Sequence, residues 1–182
     1  MAQNDRRTAI LLAARESFTT RGYDGTAIGA VAKDLGISKA AITYYFPAKS
    51  DFLTVLLGPL ISDLADIARR TTTAPWPTGP RRLLRDYLQV LAASADLARW
   101  VDTDPALRLE NRPGCVVRDL DRRLAERIIQ SSPLASNRLR ALTVIGGIWR
   151  PLHHTSGNEI QGQVDEIVDA ALISYAPLVS EA

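Results

Sequence analysis

Residues 26–46 read TAIGAVAKDLGISKAAITYYF, and this stretch decides the fold. Ile28, Val31, Ala32 and Leu35 recur at three- and four-residue steps, the spacing that gives an amphipathic helix one inward face. Thr26 stands where that helix needs a cap, and its hydroxyl is a group that can accept from the free N–H groups of a helix start. Gly36 follows where a helix stop calls for positive φ; Ile37 then returns an apolar side chain to the core, and Ser38 offers a second N-cap. The helix that Ser38 opens turns Ile42 and Phe46 inward, leaves Lys39, Ala40, Thr43 and Tyr44 outward, and is too short to be stable alone. Two short helices joined by a tight turn form a helix-turn-helix. The outer face of the second combines small residues, hydroxyls and one ammonium, the chemistry needed to reach base edges and phosphates in a major groove.

Working outward, Ala13, Ala14 and Phe18 lie on an upstream helix that runs into Gly22 and Tyr23, while Phe46, Lys49 and Leu53 follow downstream. Joined to Thr26, Val31-Ala32, Leu35-Gly36-Ile37-Ser38-Lys39 and Tyr44, this string resembles the tetracycline-repressor (TetR) family of bacterial transcription regulators. The resemblance covers roughly the first third of the chain; beyond it only length and an all-helical layout agree with the family. Thr43 stands where the family most often has the first aromatic of a Tyr-x-x-Phe segment, and Tyr45 replaces a frequent His. Both residues carry a hydroxyl, so phosphate contact survives while the base preference no longer follows from the family's pattern. Gly29, inside the first short helix, costs on the order of 1 kcal/mol of helix stability.

The resemblance implies an all-α chain with an N-terminal three-helix DNA-binding domain over residues 1–48 and a helical ligand-binding and dimerisation domain over residues 49–182. It implies a homodimeric regulator, a repressor on a palindromic double-stranded DNA operator, released by a small-molecule effector. Ser38, Lys39, Ala40, Thr43 and Tyr44 then face the groove, while Thr26, Tyr45 and Lys49 hold phosphates. A dimer suits this use, because one short recognition helix supplies little affinity and a two-fold body presents two of them to a palindrome. The alternative from another class is a helical dimeric adaptor without sequence-specific DNA binding.

Charge agrees with a division of labour. Residues 1–50 carry a net +3 and the rest of the chain −1, and all three lysines fall at positions 33, 39 and 49. Such an excess by itself is what any solvated helical surface has; its coincidence with the motif makes it a candidate nucleic-acid footprint. The N-terminal MAQNDRRTAI has no long apolar segment, and nowhere are there about twenty uninterrupted apolar residues, so a cytoplasmic protein is expected. Cys115 is the single cysteine, which excludes an intrachain disulfide and a cysteine-based metal site.

Further along, a fourth helix is expected from Lys49 towards Arg70, burying Phe52, Leu53, Leu56, Leu60, Leu64 and Ile67. TTTAPWPTGP, residues 71–80, breaks the pattern. A broadly apolar helix follows over 81–101, then an irregular connection over 102–114, then an Arg- and Asp-rich helix over 116–129. Two last helices are expected over 134–154 and 158–176; Leu139, Leu142, Ile145, Gly146 and Trp149 line the first, and Gly146-Gly147 permits close approach of another helix. From periodicity alone they close their own subunit's core as readily as they dimerise; in the family, two such helices per subunit build a four-helix bundle. The resemblance also implies an effector cavity, for which Trp76, Tyr87, Leu91, Trp100, Cys115, Arg118 and Trp149 supply apolar walls and polar anchors. Enzymatic readings find little support: His153-His154 lack a third ligand at a suitable spacing, Cys115 lacks a His partner, and no phosphate-cradling glycine loop is present. No cofactor or metal is expected.

Overall fold

The computed structural model describes residues 3–70, 74, 76–131 and 138–175. Among them are ten α-helices and two 3₁₀ turns, with no strand. The helices are α1 (Gln3–Arg21), α2 (Ile28–Asp34), α3 (Lys39–Tyr45), α4 (Lys49–Arg69), α5 (Thr78–Ala93), α6 (Ala95–Thr103), α7 (Pro113–Ser131), α8 (Arg138–Trp149), α9 (Gly157–Gly162) and α10 (Val164–Ile173). None is long and apolar enough to cross a membrane. The 3₁₀ turns are Pro105–Leu107 and Arg150–His153. Part of the expected break at 71–80, the expected start of a helix at 134 and all of 176–182 lie outside the described residues.

The first three helices form a small head around Ile10, Ala14, Phe18, Val31, Ile42 and Phe46, all essentially closed to solvent. Gly36 adopts φ +64, the left-handed conformation in which a Cβ is disfavoured, and the Ile37 N–H then reaches back to the Ala32 carbonyl at 3.0 Å. Ser38 caps α3 by accepting from the Ala41 N–H at 3.1 Å. Between α3 and α4 the Ala48 N–H donates to the Asp51 carboxylate at 2.8 Å, which fixes the start of α4.

Helix α4 joins head to body. Its buried side runs Phe52, Leu53, Leu56, Leu57, Leu60, Leu64, Ile67 and Ala68. Pro59 lies inside it and removes one backbone donor. Gly58 immediately before it has no Cβ to clash with the proline ring, so the helix passes through. The body packs α4, α5 and α7 together with α8 and α10, and Gly147 lets α8 approach Ala171 of α10 closely.

The helix expected over 81–101 is in fact two. Ser94 breaks it at φ −132, ψ 46, and α6 departs in a new direction. The cause is tertiary: α6 is drawn onto the head. Arg15 of α1 grips Asp96 with two bonds of 2.7 and 2.6 Å, Trp100 stacks on Phe18 at 5.4 Å and 6°, and Asp104 accepts the Tyr23 N–H at 2.6 Å. Asp96, Trp100 and Asp104 stand four residues apart, one face of the helix carried on to its cap. The connection after α6 contains a short helical turn, Pro105–Leu107.

Candidate nucleic-acid interface

The expected reading face is exposed. Ser38, Lys39 and Ala40 are open to solvent, Thr43 is half-buried, and Tyr44 is 71% exposed. The Thr43 hydroxyl donates within its own helix, to the carbonyls of Ala40 at 3.1 Å and Lys39 at 3.3 Å, so its methyl and its acceptor lone pairs are what it presents outward. Tyr45, half-buried, packs edge-on against Tyr44 with centroids 5.0 Å apart, which fixes the orientation of both rings. Beneath them Ile42 and Phe46 are buried, and Phe46 stacks on Phe52 of α4 at 4.2 Å. The short α3 is thus held by aromatic packing rather than by its own propensity.

Of the expected phosphate contacts, Thr26 has its side chain turned inward. Thr26 is 1% exposed, and its hydroxyl turns inward to the carbonyls of Ser17 at 3.0 Å and Gly22 at 2.8 Å. Its side chain does not cap α2 but pins the α1–α2 corner, and Ala27 occupies the N-cap position of α2. Lys49 is half-buried, its ammonium 4.3 Å from the Tyr23 ring centroid, a cation–π contact that holds the charge beside the head. A residue the sequence reading passed over is Arg7, whose guanidinium lies 5.1 Å from the Phe46 centroid and so adds a cation next to the end of α3. Its only sequence signal was membership of the N-terminal basic excess. Arg21, by contrast, is paired with Asp34 at 3.1 Å.

The seven candidate effector residues do not form one pocket. Tyr87 and Trp149 share a partner, each donating to Oδ1 of Asp121 at 2.6 and 3.0 Å. Leu91 is fully buried in the core. Trp100 belongs to the seam between head and body, where its indole N–H donates to Asp104 at 2.8 Å. Trp76 packs on Tyr175 at 5.0 Å; Cys115 is half-buried on α7; Arg118 is exposed and donates to the Arg108 carbonyl at 2.8 Å. They were chosen by residue type, and the fold scatters them. His153 pairs with Asp102 at 2.9 Å while His154 is exposed, and no group of three His, Cys, Asp or Glu suited to a metal occurs among the described residues.

Among the described residues Asp121 has no cation partner. Burial pushes its carboxyl up to about 6, against the opposing pull of the Tyr87 and Trp149 hydrogen bonds, and Asp102 adds a smaller push upward. Burial also raises the Tyr87 phenol well above its ordinary range, aided by the Asp121 charge.

Against known proteins, residues 10–56 match the family model of bacterial regulatory proteins, tetR family. The HTH-type transcriptional regulator EthR of Mycolicibacterium smegmatis is 31% identical over 87 residues, which cover 48% of this chain and 40% of EthR. RutR of Escherichia coli K12, also an HTH-type transcriptional regulator, is 30% identical over 96 residues, covering 48% of this chain and 45% of RutR. The chain thus matches less than half the length of these relatives. The backbone resembles SCO3833, a TetR-family member of Streptomyces coelicolor A3, with a TM-score of 0.72 at 20% identity over 89% of this chain and 88% of that one. A TetR-family regulator of Bordetella parapertussis 12822 gives 0.68 at 22% identity, over 96% and 97%. These two likenesses concern the fold. The helix-turn-helix built on α1 to α4 thus matches the tetR family of bacterial regulatory proteins over residues 10–56, and the all-helical body behind it shares the fold of TetR-family structures.

Proposed function

We propose that the protein is a one-component, DNA-binding transcriptional regulator of the cytoplasm, a repressor that binds a palindromic operator as a homodimer and is released by a small molecule. The observation that carries this reading is the exposed face of α3, where Ser38, Lys39, Ala40, Thr43 and Tyr44 stand outward on a helix anchored by Ile42 and Phe46. Residues 1–48 form the reading head and the chain from residue 49 the body. Lys49 and Tyr45 serve as phosphate contacts from positions their aromatic neighbours fix, and Arg7 joins them. The test is selection of duplexes from a random library by the purified protein at low salt, with a two-fold symmetric sequence as the expected result. Retardation of no duplex at any salt would overturn this reading in favour of a helical adaptor.

Thr43 and Lys49 separate reading from holding. Lys49→Ala is expected to weaken all duplexes alike and to reduce the slope of log K against log salt by about 0.9. Thr43→Val, which keeps the methyl and removes the acceptor oxygen, is expected to change the preferred base and leave that slope intact. Binding-site selection and salt titration on both variants check the pair.

The proposed dimer face is the outer side of α8 and α10. Leu142, Thr143 and Gly146 on α8 and Ala170 and Ile173 on α10 are exposed, opposite the sides that bury Val144, Ile148, Val168 and Leu172. An outward strip of small and apolar side chains on neighbouring helices supports pairing of two copies. Leu142→Glu with Ile173→Glu is expected to give a folded monomer by sedimentation equilibrium, with operator binding lost in parallel. An unchanged molar mass would relocate the interface.

A further inference from the structure

A cleft of about 520 Å³ runs between α4 and the start of α7, lined by Ser50, Leu53, Thr54, Gly58 and Ile61 on one side and Asn111, Arg112, Pro113 and Val116 on the other. Its volume is that of small-ligand sites, which span about 300–1,000 Å³. Leu53, Ile61, Pro113 and Val116 make its floor apolar, and none of the described residues lining it carries a carboxylate. Its polar groups belong to Ser50, Thr54, Asn111 and Arg112. The Arg112 guanidinium lies 5.4 Å from the Tyr23 centroid and the Lys49 ammonium 4.3 Å from the same centroid, which gathers two cations around one ring. Among the described residues neither cation is in an ion pair, whereas Arg15, Arg21, Arg70 and Arg81 each have an aspartate. An apolar trough with uncompensated positive charge beside it is complementary to an anionic amphiphile, whose head needs cations and whose tail needs a dry floor.

We propose that this cleft binds a small carboxylate-headed amphiphile, its head at Arg112 and its chain along Leu53, Ile61 and Val116. The occupant lies along α4 from Ser50 to Ile61, across Gly58 and beside Pro59, where the helix lacks one hydrogen-bond donor and bends more easily. As an effector site the cleft rests on the regulator reading; as a binding site it does not.

Calorimetric titration of the full chain with sodium decanoate, below its micelle-forming concentration, tests the proposal, with decylamine and acetate as comparisons. Arg112→Gln and Val116→Asp alter the cleft without touching the reading face, and circular dichroism verifies that both fold. Saturable decanoate binding, little binding of decylamine or acetate, and a loss of about tenfold or more in each variant are expected. Absence of saturable binding, equal uptake of decylamine, or variants that bind as well as the parent overturns the site. Decanoate that binds but leaves operator affinity unchanged overturns its effector role. Decanoate binding by a protein that retards no duplex supports the site and overturns the regulator reading instead.

Discussion

Asp104→Ala should lower the stability of the folded protein by about 3–5 kcal/mol, because three buried or half-buried donors would lose their acceptor at once. Oδ2 of Asp104 takes the Tyr23 N–H at 2.6 Å and the Trp100 indole N–H at 2.8 Å, and Oδ1 takes the Ala106 N–H at 2.9 Å. The side chain is 8% exposed, so water has little room to replace it. Hydrogen bonds to an ionised acceptor are also stronger than neutral ones, and all three vanish together. For a chain of this length the melting temperature should fall by roughly 10 °C. Asp104→Asn is the graded control: its amide oxygen can keep the Tyr23 and Trp100 bonds, leaving the Ala106 N–H alone, and its loss should be well under half. Urea denaturation of both variants measures this. A change below about 1 kcal/mol for Asp104→Ala would mean that the seam draws its strength from Phe18–Trp100 stacking and Arg15–Asp96 instead.

That seam also marks the limit of what the chain discloses before it folds. The reading head was legible because its determinants are local. Gly36 needs positive φ for the turn it makes itself, Ser38 caps a donor three residues on, and Ile42 and Phe46 share a face by spacing alone. The outward positions of α3 follow from the same spacing. Thr26 failed as a cap because residue type predicts that a Thr can accept from a helix start, not that its hydroxyl will be turned back to Ser17 and Gly22 by the corner it closes. The division into α5 and α6 was invisible for a stronger reason. Its cause is a set of contacts 81 residues apart, Arg15 with Asp96 and Tyr23 with Asp104, to which the apolar period of 81–101 is blind. The aromatic residues assigned to an effector pocket illustrate the same limit. The polar tip of a buried Trp or Tyr usually finds a partner, which follows from side-chain chemistry. Which carboxylate does so, Asp104 for Trp100 and Asp121 for Tyr87 and Trp149, is decided by the packing of α5, α6, α7 and α8.

Asp121→Asn should make the protein more stable at neutral and alkaline pH and leave it nearly unchanged in acid. Oδ1 of Asp121 is the acceptor for both the Tyr87 hydroxyl and the Trp149 indole, so an amide oxygen in its place keeps both bonds. What the substitution removes is a negative charge that burial disfavours and that only neutral donors offset. With the folded carboxyl at about 6 against an ordinary 3.8, the native state holds this proton more tightly than the unfolded chain does. Between those two values stability therefore falls as pH rises, and above the upper one the full cost persists. A shift of this size corresponds to an upper bound of about 3 kcal/mol. The side chain keeps an opening to solvent, so a gain of about 1–2 kcal/mol is the expected result. Asp102, which raises Asp121 and is itself paired with His153, is common to parent and variant, as is every other titrating group, so the difference between their two stability curves isolates position 121. That difference should be near zero at about pH 4, open through about pH 6 and stay flat above it. A variant that is less stable at every pH would mean that the charge strengthens its bonds to Tyr87 and Trp149 by more than burial weakens it, and the cluster would then be a structural anchor of the body.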